Sequence, residues 1–300
     1  MEQATKLEDR KALIEHLTEE AREMRVEDIK MLVKAGSGHP GGSLSAADVI
    51  AALYLHKMRI RPEEPDWPDR DRFVLSKGHC VPIVYVALAR IGMIPKDWLG
   101  TLRKLGSPLQ GHPDRVRCPG IEAATGSLGQ GLSMALGMAI SGQVDGAKWR
   151  VWCMVGDGEC QSGHIWEAAM LAGRRGQANL TAILDYNQVQ QSLKVKEILD
   201  LEPIVAKWRS FNWHVREIDG HDIGEILDAL DEVELVTDRP TVIVAHTVKG
   251  KGVSWMELNP DWHGKTPDEK QGEIAIAELE GKITAEESRK RFEALKEGDS

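Results

Sequence analysis

The feature that most constrains the fold is a strand–helix–strand rhythm that begins near residue 150. The apolar runs that read as strands are "RVWCMV" (150–155), "NLTAILDYN" (179–187), "WHVREI" (213–218) and "PTVIVAHTV" (240–248). Helix-forming segments separate them, such as "IGEILDALDEVELV" (223–236). Near-continuous apolar strands that alternate with helices are typical of a parallel sheet covered on both faces. The sequence therefore predicts an α/β fold with a central, mostly parallel sheet and helices on both faces.

The first half of the chain is organised around glycine-rich breaks. A helix over residues 7–33 is expected to end at "KAGSGHPGGS" (34–43), and Ser45 is expected to cap the helix that follows. "FVLSKGH" (73–79) reads as a short strand that ends in a Gly-His turn, and the long irregular segment 110–131 is expected to be functional. We assign residues 1–267 to one domain and residues 268–300 to a charged helical C-terminal tail.

Composition excludes several classes of protein. A formal net charge of -9 argues against a nucleic-acid-binding protein, which normally carries a basic patch. The sequence contains no run of about 18 apolar residues, so it predicts no membrane span. The charged N-terminus has no apolar signal-peptide core. The cysteines, Cys80, Cys118, Cys153 and Cys160, lie far apart, which suits reduced thiols and a cytoplasmic location.

Two polar side chains follow neighbouring strands of the predicted sheet. Asp157, in "GDG", comes after the strand at 150–155, and Asn187 ends the next strand. Ligands of parallel α/β sheets bind outside the carboxyl ends of the strands, so both side chains are expected to face one crevice. A carboxylate, a carboxamide and a nearby backbone carbonyl are hard oxygen ligands that suit Mg²⁺ together with phosphate oxygens and water. The alternative for the tripeptide alone is a plain strand-to-helix turn, and Asn187 favours the metal site over it.

Glycines and histidines supply a second group of candidates. The glycines of "TGSLGQG" (125–131) run in the reverse order of a dinucleotide fingerprint, so they are as consistent with packing as with ligand contact. An isolated histidine is usually structural, but His39, His79 and His112 each follow a glycine, and His263 lies in a loop. Loops are where a scaffold presents functional groups, and imidazoles can bind phosphate or sugar hydroxyls and carry protons.

Together these segments resemble a known family. Asp157 and Asn187, thirty residues apart, resemble the thiamine diphosphate signature. Five further blocks are similar to transketolase, in its order: "KAGSGHPGGSLSAADVIAALY", "RDRFVLSKGH", "GHPD", "PGIEAATGSLGQGLSMALGMA" and "VKGKGVSWME…WHG". The resemblance covers about residues 20–267 and corresponds to the N-terminal, diphosphate-binding domain of that family.

The resemblance implies roles for individual residues. It implies a Mg²⁺ site formed by Asp157, Asn187 and the backbone carbonyl of Val189. The residues implied to contact thiamine diphosphate are His79, Gly126, Ser127, Leu128, Asp157, Gly158, Asn187 and His263. The histidines implied to contact the sugar hydroxyls and to take part in proton transfer are His39, His112 and His263.

The resemblance also implies a partner. Family members that run as one chain continue with a pyrimidine-binding domain, and no region here resembles it. The expectation is therefore the N-terminal subunit of a two-chain transketolase, active only with a C-terminal subunit in an α2β2 heterotetramer. It would transfer a two-carbon ketol unit from a ketose or ketose phosphate to an aldose or aldose phosphate. Two departures from the family pattern stand close to the cofactor: Ser162 replaces a glutamate, and "NQVQQSLKV" (187–195) replaces a loop with Asp-Gly.

Two other interpretations stay open at the level of the sequence. One is a subunit of another thiamine diphosphate enzyme, such as a deoxyxylulose-phosphate-synthase-like protein, but "SGHPGG", "LSKGH" and "TGSLGQG" together favour transketolase. The other is a transketolase-like binding protein without catalysis. The presence of Asp157, Asn187 and all four loop histidines argues against it.

Overall fold

The computed structural model describes residues 2–298, with the side chains of residues 8–297. The helices are α1 (Glu2–Ala35), α2 (Pro40–Ala52), α3 (Val81–Arg90), α4 (Gln130–Val144), α5 (Gly163–Arg175), α6 (Val195–Ile198), α7 (Ile204–Ser210), α8 (Ile223–Leu235), α9 (Glu269–Leu279) and α10 (Ala285–Gly298). The strands are β1 (Arg72–Leu75), β2 (Val151–Gly156), β3 (Leu180–Tyr186), β4 (His214–Asp219) and β5 (Thr241–His246).

The strands form one parallel sheet in the order β1-β2-β3-β5-β4. In the register, Gly156 of β2 lies opposite Asp185 of β3, and Asp185 lies opposite Ala245 of β5. The last residues of the three central strands are therefore neighbours at the carboxyl edge of the sheet. The loops that leave β2, β3 and β5 begin there side by side.

Helices cover both faces of the sheet, which confirms the predicted fold class. Alternate residues of β2 enter different cores, because successive side chains of a strand point to opposite faces. Trp152 packs with α1, α2, α3 and α8, whereas Cys153 packs with α4 and α5. All five strands carry buried apolar residues, so the sheet is a packed core that supports the loops at its edge.

The expected cap at Ser45 is wrong. Helix α2 begins at Pro40, five residues earlier, because a proline fits the first turn of a helix without losing a hydrogen bond. Ser45 is therefore inside the helix and fully buried. Its hydroxyl donates to the carbonyl of Gly42 (3.1 Å) and to the carboxylate of Asp185 (2.7 Å).

The segment after residue 267 forms α9 and α10, which pack against α1 and the loop after β5. The ring of Phe292 stacks on Trp255 with a centroid distance of 4.1 Å, and Ala275 and Leu279 are buried in the same apolar cluster. The domain boundary at residue 267 stays a prediction. Within residues 2–298, no helix combines the length and the apolar character needed to cross a bilayer.

Candidate active site

A cavity of about 1030 Å³ opens at the carboxyl edge of the sheet. The sequence-predicted residues among its walls are His39, His79, Gly126, Leu128, Asp157, Gly158, Asn187, Val189 and His263. They come from segments as far apart as residues 39 and 263, and the parallel sheet brings them together because its loops leave from one edge.

Asp157 stands at the end of β2 and is held by backbone N–H groups. The N–H of Gly158 donates to its Oδ1 at 2.7 Å, and the N–H of Gln188 donates to its Oδ2. Gln188 follows Asn187 directly, so the two predicted metal ligands lie in adjoining loops. Gln188 has a φ of 64°, in the left-handed region, which turns the chain sharply after Asn187.

The donor set fits a magnesium ion. Asp157 offers a carboxylate, Asn187 an amide oxygen and Val189 a carbonyl oxygen, all three on the cavity wall. Within the described residues, no three His, Cys, Asp or Glu side chains are grouped to hold a metal. A mixed set with one carboxylate is typical of Mg²⁺, which takes its remaining ligands from phosphate and water.

The electrostatics of Asp157 support the same fit. Burial, and to a smaller extent the nearby Asp185 carboxylate, raise its pKa to about 7 against the opposing effect of the two backbone donors. The ammonium of Lys249 also lowers this pKa, but its effect is smaller than that of either backbone donor. A divalent ion at this carboxylate would supply the missing positive charge and hold it ionised.

The histidines of the cavity form a contiguous group. The ring centroid of His39 lies 5.2 Å from His79, 5.5 Å from His263 and 6.4 Å from His112. His79 and His263 are 5.0 Å apart. The structure thus brings together the four histidines that the sequence singled out.

All four imidazoles are neutral near pH 7. Burial is the largest cause that lowers the pKa of each ring, and positive neighbours contribute, such as Lys249 for His263 and Arg103 for His112. The pKa of His39 falls to about 4 and that of His263 to about 3. The Nδ1 atom of His39 is buried without a hydrogen-bond partner among the described residues, so it is available to a ligand. Neutral rings can donate at one nitrogen and accept at the other.

Two predicted residues stand outside the cavity wall itself. His112 lies behind Gly126, where a side chain at Gly126 would come within 3.4 Å of the imidazole. Ser127 is exposed and does not line the cavity, although its neighbours Gly126 and Leu128 do. The roles assigned to these residues stay predictions.

The departure after Asn187 gives the cavity a different wall. Val189 pairs with Lys194 in an isolated β-bridge, which closes a tight turn over Gln190, Gln191 and Ser192. These three side chains line the cavity. A Cβ on Gly158 would lie 2.6 Å from Oε1 and 3.0 Å from Cβ of Gln190, so a side chain there would displace Gln190.

Sequence reasoning missed the charged residues at the base of the cavity. Lys77, in the cavity lining, forms a buried ion pair with Asp185, which lies beneath it. Lys249 lies in the wall, where its ammonium donates to the carbonyl of Val189 (2.8 Å) and contacts Nδ1 of His263 (2.7 Å). Burial lowers the pKa of Lys249 to about 8. A usable signal was present, because each residue is a charge inside a short apolar or glycine-rich segment.

Glu159 is another residue that sequence reasoning missed. Its buried carboxylate accepts from the N–H groups of Gly129 (2.8 Å) and Gly156 (3.0 Å) and from the hydroxyl of Ser76. It therefore joins "TGSLGQG", "GDG" and "LSKGH" at one point. Ser162 lies against the same glycine, since a Cβ on Gly129 would be 2.3 Å from its Oγ.

Comparisons with known proteins agree with this geometry. The family described as "Transketolase, thiamine diphosphate binding domain" matches residues 17–287. The 6-deoxy-6-sulfo-D-fructose transketolase subunit SqwG of Clostridium sp. (strain MSTE9) is 45% identical over 267 residues, which are 89% of this chain and 96% of that protein. An apulose-4-phosphate transketolase subunit of Phocaeicola vulgatus is 39% identical over 270 residues, 90% of this chain and 96% of its own length.

Solved structures give the same result at the level of the fold. The transketolase of Campylobacter jejuni superposes with a TM-score of 0.85 at 31% identity and covers 93% of this chain. The chain spans 46% of that transketolase, so it corresponds to less than half of it. With the glycine loops, the Asp157–Asn187 pair and the histidine cluster meeting in one cavity, we conclude that the chain belongs to the transketolase family, as its thiamine diphosphate-binding domain.

Proposed function

We propose that this chain is the N-terminal subunit of a two-chain transketolase that moves a two-carbon ketol unit from a ketose, or its phosphate, to an aldose, or its phosphate. The observation that carries the proposal is the convergence of Asp157, Asn187, the Val189 carbonyl and the histidines on one cavity. A binding protein without catalysis has no need of a metal donor set beside neutral, mutually adjacent imidazoles.

The carbonyl of Val189 and the side chains of Asp157 and Asn187 would hold Mg²⁺, and His79, Gly158 and His263 would contact the diphosphate. When bound, thiamine diphosphate supplies the carbanion chemistry of carbon–carbon cleavage. Gly158 lets the backbone come close to the diphosphate because it has no side chain. A side chain there would also contact Gln190. Leu128, half-exposed on the wall, offers an apolar surface against which the cofactor packs.

The histidines of the chain would form hydrogen bonds with the sugar hydroxyls and transfer protons. His39 has a buried, unpartnered Nδ1 within the described part of the chain and a neutral ring, so it can accept a proton from a hydroxyl or donate through the other nitrogen. His263 receives a fixed hydrogen-bond partner in Lys249, which orients its ring. His112 would reach the sugar from behind Gly126.

We infer that a second polypeptide completes the site, in an α2β2 assembly. Apolar side chains on the cavity wall are exposed, Leu128 by 44% and Ile198 by 47%, and Leu199 beside them by 53%. Exposed apolar groups around a polar cavity are typical of an interaction surface. The two relatives named as transketolase subunits have about the length of this chain, which supports a division of the enzyme between two chains.

We place this enzyme in the cytoplasm. Cys80, Cys118, Cys153 and Cys160 are all free, buried thiols. Reduced cysteines are typical of a reducing compartment.

The test is reconstitution with a transketolase C-terminal subunit, a second chain that carries the pyrimidine-binding domain. Ketol transfer between sugar phosphates, measured with thiamine diphosphate and Mg²⁺, is expected from the two chains together and from neither alone. Full activity of this chain alone would contradict the divided site. A variant with His39→Ala is expected to bind the cofactor normally and to lose transfer, whereas a variant with the remote His214→Ala is the matched control and should keep it.

A further inference from the structure

One buried carboxylate beneath the cavity receives four hydrogen bonds from four separate segments. Asp185, 1% exposed, accepts from Ser45 Oγ (2.7 Å), from Asn187 Nδ2 (2.9 Å), from Lys77 Nζ and from Thr247 Oγ1. Three of these bonds end on Oδ2 and the bond from Thr247 ends on Oδ1, so both carboxylate oxygens have donors. Asp185 does not line the cavity, so its effect on a ligand must pass through another residue.

The hydrogen bond to Asn187 decides which end of the amide faces the cavity. An ionised carboxylate can only accept, so the NH2 group of Asn187 must point to Asp185. Rotating the amide by half a turn would place two oxygen acceptors against each other. The Oδ1 atom of Asn187 is thereby turned away from Asp185, where it also accepts weakly from the N–H of Val189 (3.2 Å).

Lys77 makes this arrangement possible in a buried place. Burying a carboxylate is costly unless it is paired and hydrogen-bonded. The ammonium of Lys77 pairs with Asp185 and donates as well to the carbonyl of Gly42 (3.2 Å). The ion pair therefore keeps Asp185 an acceptor.

We propose that Asp185 is a positioning residue for the metal site: it fixes the amide of Asn187 with its oxygen toward the cation, while Lys77, Ser45 and Thr247 hold Asp185 in place. This proposal rests on the proposed Mg²⁺ site. Its chemistry is that of an outer carboxylate that orients a metal ligand, and residues of that kind change metal affinity by about 10–100-fold.

The experiment uses the full 300-residue chain with thiamine diphosphate and Mn²⁺, a paramagnetic ion with the same preference for oxygen ligands. Electron paramagnetic resonance measures free Mn²⁺ and gives its Kd. Asp185→Leu has a similar size but no acceptor, so it should raise this Kd, corrected for the folded fraction, by about 10–100-fold, because nothing then fixes the orientation of the Asn187 amide. The double variant Asp185→Leu/Asn187→Asp should regain at least about tenfold of that loss, since a carboxylate at 187 presents an oxygen in either orientation.

Controls separate positioning from folding and from the proposed function. Asp48→Asn also removes a buried, paired carboxylate but lies outside the cavity, so its Kd, corrected for the folded fraction, should match the unaltered chain. A Kd for Asp185→Leu within about threefold of the unaltered chain, well short of the about tenfold minimum for such residues, would overturn the proposal. A double variant that binds Mn²⁺ no more tightly than Asp185→Leu would overturn it as well. If Asp157→Asn leaves Mn²⁺ binding intact, the metal site itself is refuted. Loss of binding with Asp157→Asn but not with Asp185→Leu refutes the positioning role alone.

Discussion

Two buried aspartates, Asp48 and Asp157, show what separates a structural charge from a functional one. Asp48, 5% exposed, pairs with Arg25 and with Nδ1 of His221 (2.7 Å). Asp157, 3% exposed, has backbone N–H groups as its partners. Burial opposes ionisation of both, yet Arg25 and His221 bring the pKa of Asp48 down to about 2, whereas the pKa of Asp157 rises to about 7.

The difference teaches that burial alone does not set the state of a carboxylate; the nearest cation does. The Asp48 network is closed, because the other nitrogen of His221 accepts the N–H of Val248 (2.8 Å) and Arg25 also donates to the carbonyl of Leu44. The Asp157 site is open toward a cavity, and its hydrogen bonds come from the backbone rather than from a charged side chain. The Asp48 network therefore connects parts of the fold, whereas the Asp157 site is arranged to bind a ligand.

The largest effect expected from this comparison is on stability at Asp48. Asp48→Asn leaves Arg25 buried without its counter-charge, so the free energy of unfolding should fall by about 3–5 kcal/mol. Urea unfolding followed by far-ultraviolet circular dichroism measures it. A loss under about 1 kcal/mol, the size expected of an exposed pair, would mean that the network is not closed as described.

Asp157→Asn should show the reverse pattern. The substitution removes a buried charge whose hydrogen bonds come from two backbone N–H groups, and the new NH2 group must face one of those donors. The free energy of unfolding of the chain without ligands should therefore fall by about 1–3 kcal/mol, less than at Asp48. Binding of thiamine diphosphate in the presence of Mg²⁺ should weaken by more than about 100-fold, the upper end for a residue that only supports a metal ligand. Isothermal titration calorimetry measures the binding. Equal damage to stability and binding would erase the distinction between the two sites.

The pH dependence of stability sharpens the comparison further. The pKa of Asp48 in the folded chain, about 2, lies below its ordinary value of 3.8, so its stabilising contribution is present above about pH 4 and is lost as the pH falls toward 2. The shift corresponds to about 2 kcal/mol. Urea titrations from about pH 5 to about pH 2 should therefore show the unaltered chain losing about 2 kcal/mol more than Asp48→Asn. Parallel curves would refute the assigned pairing.

The smallest effect is expected at an exposed ion pair. Asp231 lies 2.8 Å from Nζ of Lys57, but its side chain is 59% exposed and Glu234 contacts the same ammonium at 2.9 Å. Asp231→Asn should change the free energy of unfolding by less than about 1 kcal/mol, since water screens the pair and Glu234 remains. The same urea titration checks it, with Asp48→Asn as the buried reference.

Much of the fold could be predicted because strand periodicity is a local property. The strands at 150–155 and 240–248 and the helix at 223–236 appear where the apolar patterns placed them. The beginning of α2 could not be read in the same way. Ser45 has the right chemistry for a cap, but its hydroxyl serves Asp185, 140 residues away, and no local pattern announces such a partner.

The residues of the site also divide into those that local patterns predict and those that depend on distant partners. Asp157 and Asn187 could be predicted because strand ends of a parallel sheet share one edge, and the loop histidines because glycines flank them. Lys77, Glu159 and Lys249 carry a signal as charges in short apolar or glycine-rich segments, but their partners could not be predicted before the sheet order is known. Those partners lie in distant segments, such as Asp185 for Lys77, Gly129 for Glu159 and Val189 for Lys249, which the sheet brings together only in three dimensions.

The four hydrogen bonds to Asp185 also bear on the order in which parts of the chain can fold. They join residues separated by as many as 140 positions along the chain, and Thr247 is the last of them to leave the ribosome. Contacts of such long range form late in folding, after local helices. During synthesis the carboxyl edge of the sheet therefore stays unfinished until β5 has emerged and inserted. The cavity has Lys249 and His263 in its wall, both beyond β5, so it is complete only after these late segments have packed.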